Sequence, residues 1–266
     1  MRRVLLTGGT GVLGRELIPR LQAVGYIVRV MSRRAAKAGE GFELEWAQAS
    51  LDSGTGLAEA VEQADVILHA ASSPVKRQVD IGGTGRLLEH ARRAGIDHFV
   101  YISIVGIDRI GFSYYRNKLA AESLIKASGV PWTILRATQF HDLIDRLLGG
   151  LTRLPVAFVP KNWQFQSINT SEVAEQLVAA VQAGPAGQLP DIGGPEVLNL
   201  EEMARLWLAA RGTPRPLVHL PLPGKLAAGF RQGLNTTPHN RGGKITWADW
   251  VQTRYSSSLK MRMKFP

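Results

Sequence analysis

The period of the hydrophobic positions alternates along the first half of this chain. An apolar run at Arg3–Thr7 reads as a strand; from Gly11 to Val24 the apolar positions Leu13, Leu17, Ile18 and Leu21 take up helical spacing. Further strands are predicted at Tyr26–Met31, Leu44–Ala47, Val66–Ala70, His98–Ser103 and Trp132–Arg136. Helical segments lie between them at Leu57–Gln63, at Ile81–Ala94, closed by Gly95, and at Tyr114–Ser128, stopped by Gly129. Strands that alternate with helices of this length are joined by right-handed crossovers, which lay the strands parallel in one sheet covered on both faces. The expected class is α/β with a doubly wound parallel sheet.

After about residue 140 the rhythm breaks. Nine prolines from Pro155 to Pro223 cut the second half into short pieces. Only Ser171–Ala183, with Ser171 as its N-cap, and Leu200–Ala210 keep helical spacing. Residues 1–140 are expected to form a cofactor-binding domain and residues 141–254 a smaller C-terminal substrate lobe interleaved with the sheet. Residues 255–266 show no periodicity and are expected to be a disordered tail.

Composition narrows the function. With 45% hydrophobic and 20% charged residues among 266, the chain is an ordinary globular protein, and no apolar window is long enough to span a membrane. The short charged start runs directly into glycines, unlike a signal peptide, so a cytoplasmic protein without a membrane partner is expected. The absence of cysteine excludes disulfides and a thiolate nucleophile, and the six histidines lack metal-ligand spacing, so no metal is expected. The net charge of +10 is spread over Arg33-Arg34-Ala35-Ala36-Lys37, Lys76-Arg77, Arg92-Arg93 and the tail from Arg254 to Lys264. These clusters have neither interleaved aromatics nor a recognition-helix pattern, so the expected partner is a small molecule and not a nucleic acid.

The sharpest motif is Thr7-Gly8-Gly9-Thr10-Gly11-Val12-Leu13-Gly14, between the first strand and the first helix. A chain that turns tightly off a strand, lets backbone approach a pyrophosphate and then packs a helix against the sheet has no room for Cβ atoms at three places. The helix N-terminus presents N–H groups to the anion. Gly8, Gly11 and Gly14 supply the glycines, with Thr10, Val12 and Leu13 completing the loop around a dinucleotide. The second strand ends Val30-Met31-Ser32-Arg33-Arg34, with no acid before Glu40. A carboxylate there would accept from a ribose 2′-hydroxyl and repel a 2′-phosphate. Ser32, Arg33 and Arg34 instead favour the phosphate, and so NADP(H).

Tyr114 and Lys118 are four residues apart at the start of a helix and share a face. An ammonium beside a phenol favours the phenolate, Tyr114 can hand a proton to a carbonyl oxygen that receives hydride, and Lys118 can hold the nicotinamide ribose. Ser103, at the C-terminal end of a strand, is placed to bond the same oxygen. Phe140 and His141 follow the sixth strand; with Trp163 they are candidates to line a substrate pocket, His141 as a second acid–base group.

These motifs, together with Tyr101-Ile102-Ser103-Ile104-Val105-Gly106, Tyr114-Tyr115-Arg116-Asn117-Lys118 and Gly193-Gly194-Pro195-Glu196, resemble the atypical short-chain dehydrogenase/reductases, in their NmrA-like, NAD(P)H-binding branch. The likeness covers about residues 1 to 210. It implies an extended Rossmann core, often dimeric, with Ala70 and Ala71 beside the adenosine side of the cofactor and Ser103, Tyr114 and Lys118 as the catalytic set. The eleven residues from Ser103 to Tyr114 are fewer than in the usual extended enzymes. The expected activity is NADPH-dependent reduction of a carbonyl or quinone-type small molecule. The alternative is a redox-sensing regulatory protein that binds NADP(H) without turnover.

Overall fold

A computed structural model of the chain describes residues 1–35, 44–73, 77, 79–153 and 155–262, the stretch 257–262 by backbone alone. Lys37, Glu40, Lys76, Lys264 and the last four residues of the expected tail lie outside these. Strand β1 (Arg3–Thr7) is followed by helix α1 (Val12–Ala23), β2 (Ile27–Ser32), β3 (Glu45–Gln48), α2 (Leu57–Val61) and β4 (Val66–His69). Helix α3 (Thr84–Ala94), β5 (His98–Ile104), α4 (Ser113–Ala127) and β6 (Trp132–Ala137) complete the alternation.

The sheet runs β3-β2-β1-β4-β5-β6 and ends on a two-residue strand, Gly187–Gln188, beside β6. This is the doubly wound Rossmann order. β1 pairs in parallel with β2 on one side and with β4 on the other, so Thr7 stands between Met31 and His69. The strand order reverses at this point, and ligands of open α/β sheets bind outside the strand ends there. Because both faces of the central strands are covered, their apolar runs are continuous: Val4, Leu5, Leu6, Val66, Ile67 and Leu68 are all fully buried. Helix α1 buries the stripe Leu13, Gly14, Leu17 and Leu21 that its spacing predicts. Gly95 closes α3 in the left-handed region with its N–H on Ala91 and Arg92 carbonyls, as expected of a C-cap glycine. The helix predicted from Ile81 begins instead as a π-helical turn, Val79–Gly83, and becomes α-helical at Thr84.

Two compact units share the chain. One comprises residues 1–104, 112–136 and 173–190, the other residues 105–111, 137–172 and 191–266. A single boundary at residue 140 therefore does not separate them. In the second unit, helix α5 (His141–Leu151) forms where no helix is predicted, burying His141, Ile144 and Leu148. The helix Thr170–Ala183 starts ahead of Ser171; the Asn169 side chain accepts from the Ser171 N–H at 3.4 Å, so Asn169 provides the cap expected of Ser171. The backbone beyond Arg254, expected as a tail, continues the helix Trp247–Arg262. Tyr255 anchors it by donating to the Asp145 carboxylate and setting its ring edge-on to Trp207. No helix among the described residues is long and apolar enough to cross a membrane.

Candidate functional site

The turn from β1 into α1 leaves no space beyond backbone. Gly8 has φ +73°, and a Cβ on it would stand 2.8 Å from the Ala70 carbonyl carbon and the Ala71 nitrogen. At Gly14 a Cβ would meet Gly8 O and Gly9 Cα, both at 2.4 Å. The Gly11 N–H closes the turn on Gly8 O at 2.9 Å. α1 opens without a side-chain cap and without an acidic residue in its first turn. Its first N–H groups therefore have no intrahelical or side-chain partner, and the helix presents its positive end undiminished. A cradle made of close-packed glycine backbone at a helix N-terminus fits the pyrophosphate of a dinucleotide. Gly8, Thr10, Gly11, Val12, Leu13 and Gly14 would hold it.

At the end of β2 the backbone is pinned while the charges stay outside. The Ser32 hydroxyl accepts from the Arg34 N–H at 3.2 Å, and Trp46 Nε1 donates to the Arg34 carbonyl at 2.7 Å. Arg33 and Arg34 are exposed. Ala70 and Ala71, just past β4, touch the glycine turn as described. The Ala71 N–H is taken up by Thr7 Oγ1 at 3.1 Å.

Behind that turn runs a buried polar chain whose directions are fixed. Thr84 Oγ1 donates to the Asp80 carbonyl at 2.6 Å, so it accepts from His69 Nε2 at 3.0 Å. His69 Nδ1 then accepts from the Thr7 hydroxyl at 2.7 Å. Burial, aided by the Lys118 charge, lowers the His69 pKa to about 3 and keeps it neutral. Its ring stacks on Tyr101, with centroids 5.4 Å apart, and Lys118 Nζ lies 4.0 Å from the Tyr101 centroid.

The candidate catalytic side chains turn to different partners. Tyr114 Oη is 2.7 Å from Ser72 Oγ, which is itself 2.7 Å from Asp80 Oδ1. Burial raises the Tyr114 pKa to about 12; the Ser72 hydrogen bond opposes this and the Asp80 charge adds to it. Lys118 is buried (2% exposed) and donates to the Ile102 carbonyl at 2.7 Å. Desolvation lowers its pKa to about 8 against the pull of Asp80 and Glu122. The expectation that Lys118 draws the Tyr114 phenol down is therefore corrected, because burial governs that phenol and the Ser72 hydrogen bond is what opposes it. Ser103 is buried beside Glu122, which is held in a charge-assisted pair by Arg136 at 2.7 and 2.9 Å; the serine hydroxyl forms no well-aligned hydrogen bond of its own. Ser72 and Asp80 were not legible as partners. Their one signal is position: Ser72 stands three residues past the end of β4, where strand ends meet ligands, and Asp80 precedes the Gly82-Gly83-Thr84 opening of α3.

The other candidates lie in the second unit. His141 is fully buried, with Nδ1 at 2.8 Å from Ser167 Oγ and Nε2 at 3.2 Å from the Ile245 carbonyl; desolvation lowers its pKa to about 4. Packed against the stacked pair Trp247 and Trp250, it is a structural residue of this unit, which corrects its assignment to a substrate pocket. Phe140 precedes α5, and half-buried Trp163 stacks on Phe230 with centroids 4.6 Å apart. No cluster of metal-binding side chains occurs among the described residues.

Fold and phosphate loop together define a dinucleotide-binding protein with a Rossmann-type α/β sheet. More narrowly, the chain belongs to the NAD(P)H-binding family whose sequence pattern matches its residues 8–183. It is 26% identical over 258 residues to the photosystem II assembly factor Ycf39 of Trieres chinensis, covering 87% of this chain and 78% of that protein. It is 25% identical over 216 residues to the (4-alkanoyl-5-oxo-2,5-dihydrofuran-3-yl)methyl phosphate reductase of Streptomyces griseus, covering 79% and 74%. The NADPH complex of the Escherichia coli quinone oxidoreductase QOR2 shares the fold with a TM-score of 0.79 at 18% identity, covering 95% of this chain and 99% of that one.

Proposed function

We propose that this protein is an NADPH-dependent reductase of a carbonyl or quinone-type small molecule. Tyr114 is the proton donor, Lys118 holds the cofactor ribose, and Arg33, with Arg34, meets the 2′-phosphate. When bound, the reduced nicotinamide supplies the hydride. The observation that carries the reading is the setting of Tyr114: a half-buried phenol hydrogen-bonded to Ser72, its pKa pushed up to about 12 chiefly by burial, keeps its proton throughout the neutral range. That suits reduction. A developing alkoxide is far more basic than such a phenol and takes its proton, whereas oxidation of an alcohol needs the phenolate that this environment disfavours. The matching relatives include a named reductase, and a named quinone oxidoreductase shares the fold.

The deciding experiment is NADPH oxidation measured over a panel of aromatic ketones, diones and quinones, with the wild type and Tyr114→Phe. The variant should lose about 10²- to 10⁴-fold in kcat on ketones while keeping its NADPH affinity, because only the donated proton is removed. Quinones, which accept hydride without a positioned donor, should lose less. A wild type that oxidises NADPH with no panel compound would overturn the reading in favour of a cofactor-sensing regulator.

A further inference from the structure

The side chains tied to the Tyr114 hydroxyl are Ser72 and Asp80, and the direction of the bonds can be deduced. Ser72 has one hydrogen. The Asp80 carboxylate only accepts, so that hydrogen points to Oδ1 at 2.7 Å, and the Ser72 oxygen accepts from the phenol at 2.7 Å. Asp80 is held in turn by the Ser73 N–H, at 3.4 and 3.3 Å from its two oxygens. It is buried (2% exposed), and it lies in the π-helical turn Val79–Gly83, a distortion of a kind frequent at functional positions. Lys118 of α4 and Tyr101 of β5 also face it. Ser72 itself is exposed to water. The three groups therefore run from solvent to the phenol through a single hydroxyl, whose resting orientation a buried carboxylate sets.

We propose that Ser72 and Asp80 form a proton relay that recharges Tyr114, Ser72 passing the proton and Asp80 acting as the positioning residue. The proposal rests on the reductase reading and deepens it. Each reduced carbonyl takes one hydride, supplied by the reduced cofactor, and one proton, which leaves Tyr114 Oη for the carbonyl oxygen. The O–H bond of the phenol breaks and that of the alcohol forms. A phenolate is more basic than a carboxylate by about six pKa units. The Ser72 hydrogen therefore swings from Asp80 to Tyr114, where a new O–H bond forms. As its own O–H bond breaks, the Ser72 oxygen takes a proton from a water on its exposed side, which leaves hydroxide in bulk solvent, and the new hydroxyl hydrogen turns back to Asp80. The net proton comes from water.

The test begins on the full cofactor-free chain, labelled with ¹³C-tyrosine, with Tyr114→Phe to assign the signal. Asp80→Asn removes a charge that opposes the phenolate and should lower the Tyr114 titration midpoint. Ser72→Ala removes a donor to the phenolate and should raise it. A loosened fold would move both variants the same way, so shifts in the same direction, or none, overturn the relay. The second readout is NADPH-driven reduction of 1-phenyl-1,2-propanedione. Ser72→Ala should cut kcat at least tenfold with KM within twofold, and Ser72→Thr should restore it; an unchanged kcat in Ser72→Ala overturns the relay. A wild type that reduces no carbonyl overturns the reductase reading and the relay as a catalytic device together, while opposite titration shifts would still establish the coupling of Ser72 and Asp80 to Tyr114.

Discussion

The phosphate loop and the Tyr114 corner belong to the same unit and are built from opposite materials. At Gly8 and Gly14 the structure is backbone against backbone, with separations that exclude a single extra carbon. Around Tyr114 it is side chain against side chain, with Ser72, Asp80, Lys118, Tyr101 and His69 joined by hydrogen bonds, ring contacts and charge. A backbone cradle presents fixed dipoles and has nothing to titrate, so it can grip an anion across a wide pH range. A side-chain cluster in a desolvated setting has groups whose protonation the surroundings set, which is what proton transfer requires. On the function proposed above, the first binds and the second does chemistry. The difference makes two kinds of perturbation selective, acid for one region and added volume for the other.

Acid is expected to have the largest effect, through buried side chains of both units, His69 of the Tyr114 region among them. His69 behind the site has a pKa near 3, and His98 and His141 have pKa values near 4, all lowered by burial from about 6.5. Below that value the unfolded chain binds protons that the folded chain refuses, so stability is lost as the pH falls. Each histidine contributes about 1.4 kcal/mol per pH unit, down to about pH 4. One unit below pH 6.5 the three together should cost about 4 kcal/mol, offset in part by Asp80 and Asp142, whose raised pKa values act in the opposite sense. Urea denaturation at stepped pH measures the slope. His69→Gln should flatten it by about a third, the share of one group in three; an unaltered slope would remove His69 from the buried network.

Volume should break the loop instead. Gly14→Ala places a methyl group 2.4 Å from two backbone atoms, neither of which can rotate away. The expected cost is about 3 kcal/mol of stability, the upper range for overpacking, with at least a hundredfold loss of NADPH affinity. Thermal unfolding and fluorescence titration on one purified variant report both. Wild-type affinity in Gly14→Ala would mean that the cofactor is held elsewhere.

The same contrast explains what was legible in the sequence. β1, α1 and the glycine turn were readable because their determinants are local: an apolar run, a helical stripe and residues without a Cβ at fixed spacing. The doubly wound parallel sheet followed from alternation alone. The Tyr114–Lys118 spacing was readable as a shared helix face, but not where each side chain turns. Lys118 finds the Ile102 carbonyl on β5, and Tyr114 finds Ser72 forty-two residues upstream. Such partners are set by tertiary packing, which no local spacing records. Helix α5 escaped for a different reason: Gly149 and Gly150 interrupt the helix-forming sequence, and burial of Ile144 and Leu148 outweighs their weak propensity. The last helix likewise depends on Tyr255 reaching Asp145, 110 residues away.

The smallest expected effect tests the edge of the backbone region, where the proposed function has a side chain take over recognition. Gln48 and Trp46 bond to the carbonyls of Arg33 and Arg34, so the backbone at the end of β2 is held while the two guanidinium groups face solvent. A guanidinium that meets a 2′-phosphate in water is screened, and a charge-assisted pair in that setting is worth about 1–2 kcal/mol. Arg33→Ala should therefore weaken NADPH binding about ten- to thirtyfold and leave NADH binding within twofold, because the 2′-phosphate alone distinguishes the two. Raising the salt concentration should shrink the wild-type preference toward that of the variant. Parallel titrations of both reduced cofactors at low and high ionic strength give all four affinities. An equal loss for NADPH and NADH would show that Arg33 shapes the loop and does not read the phosphate.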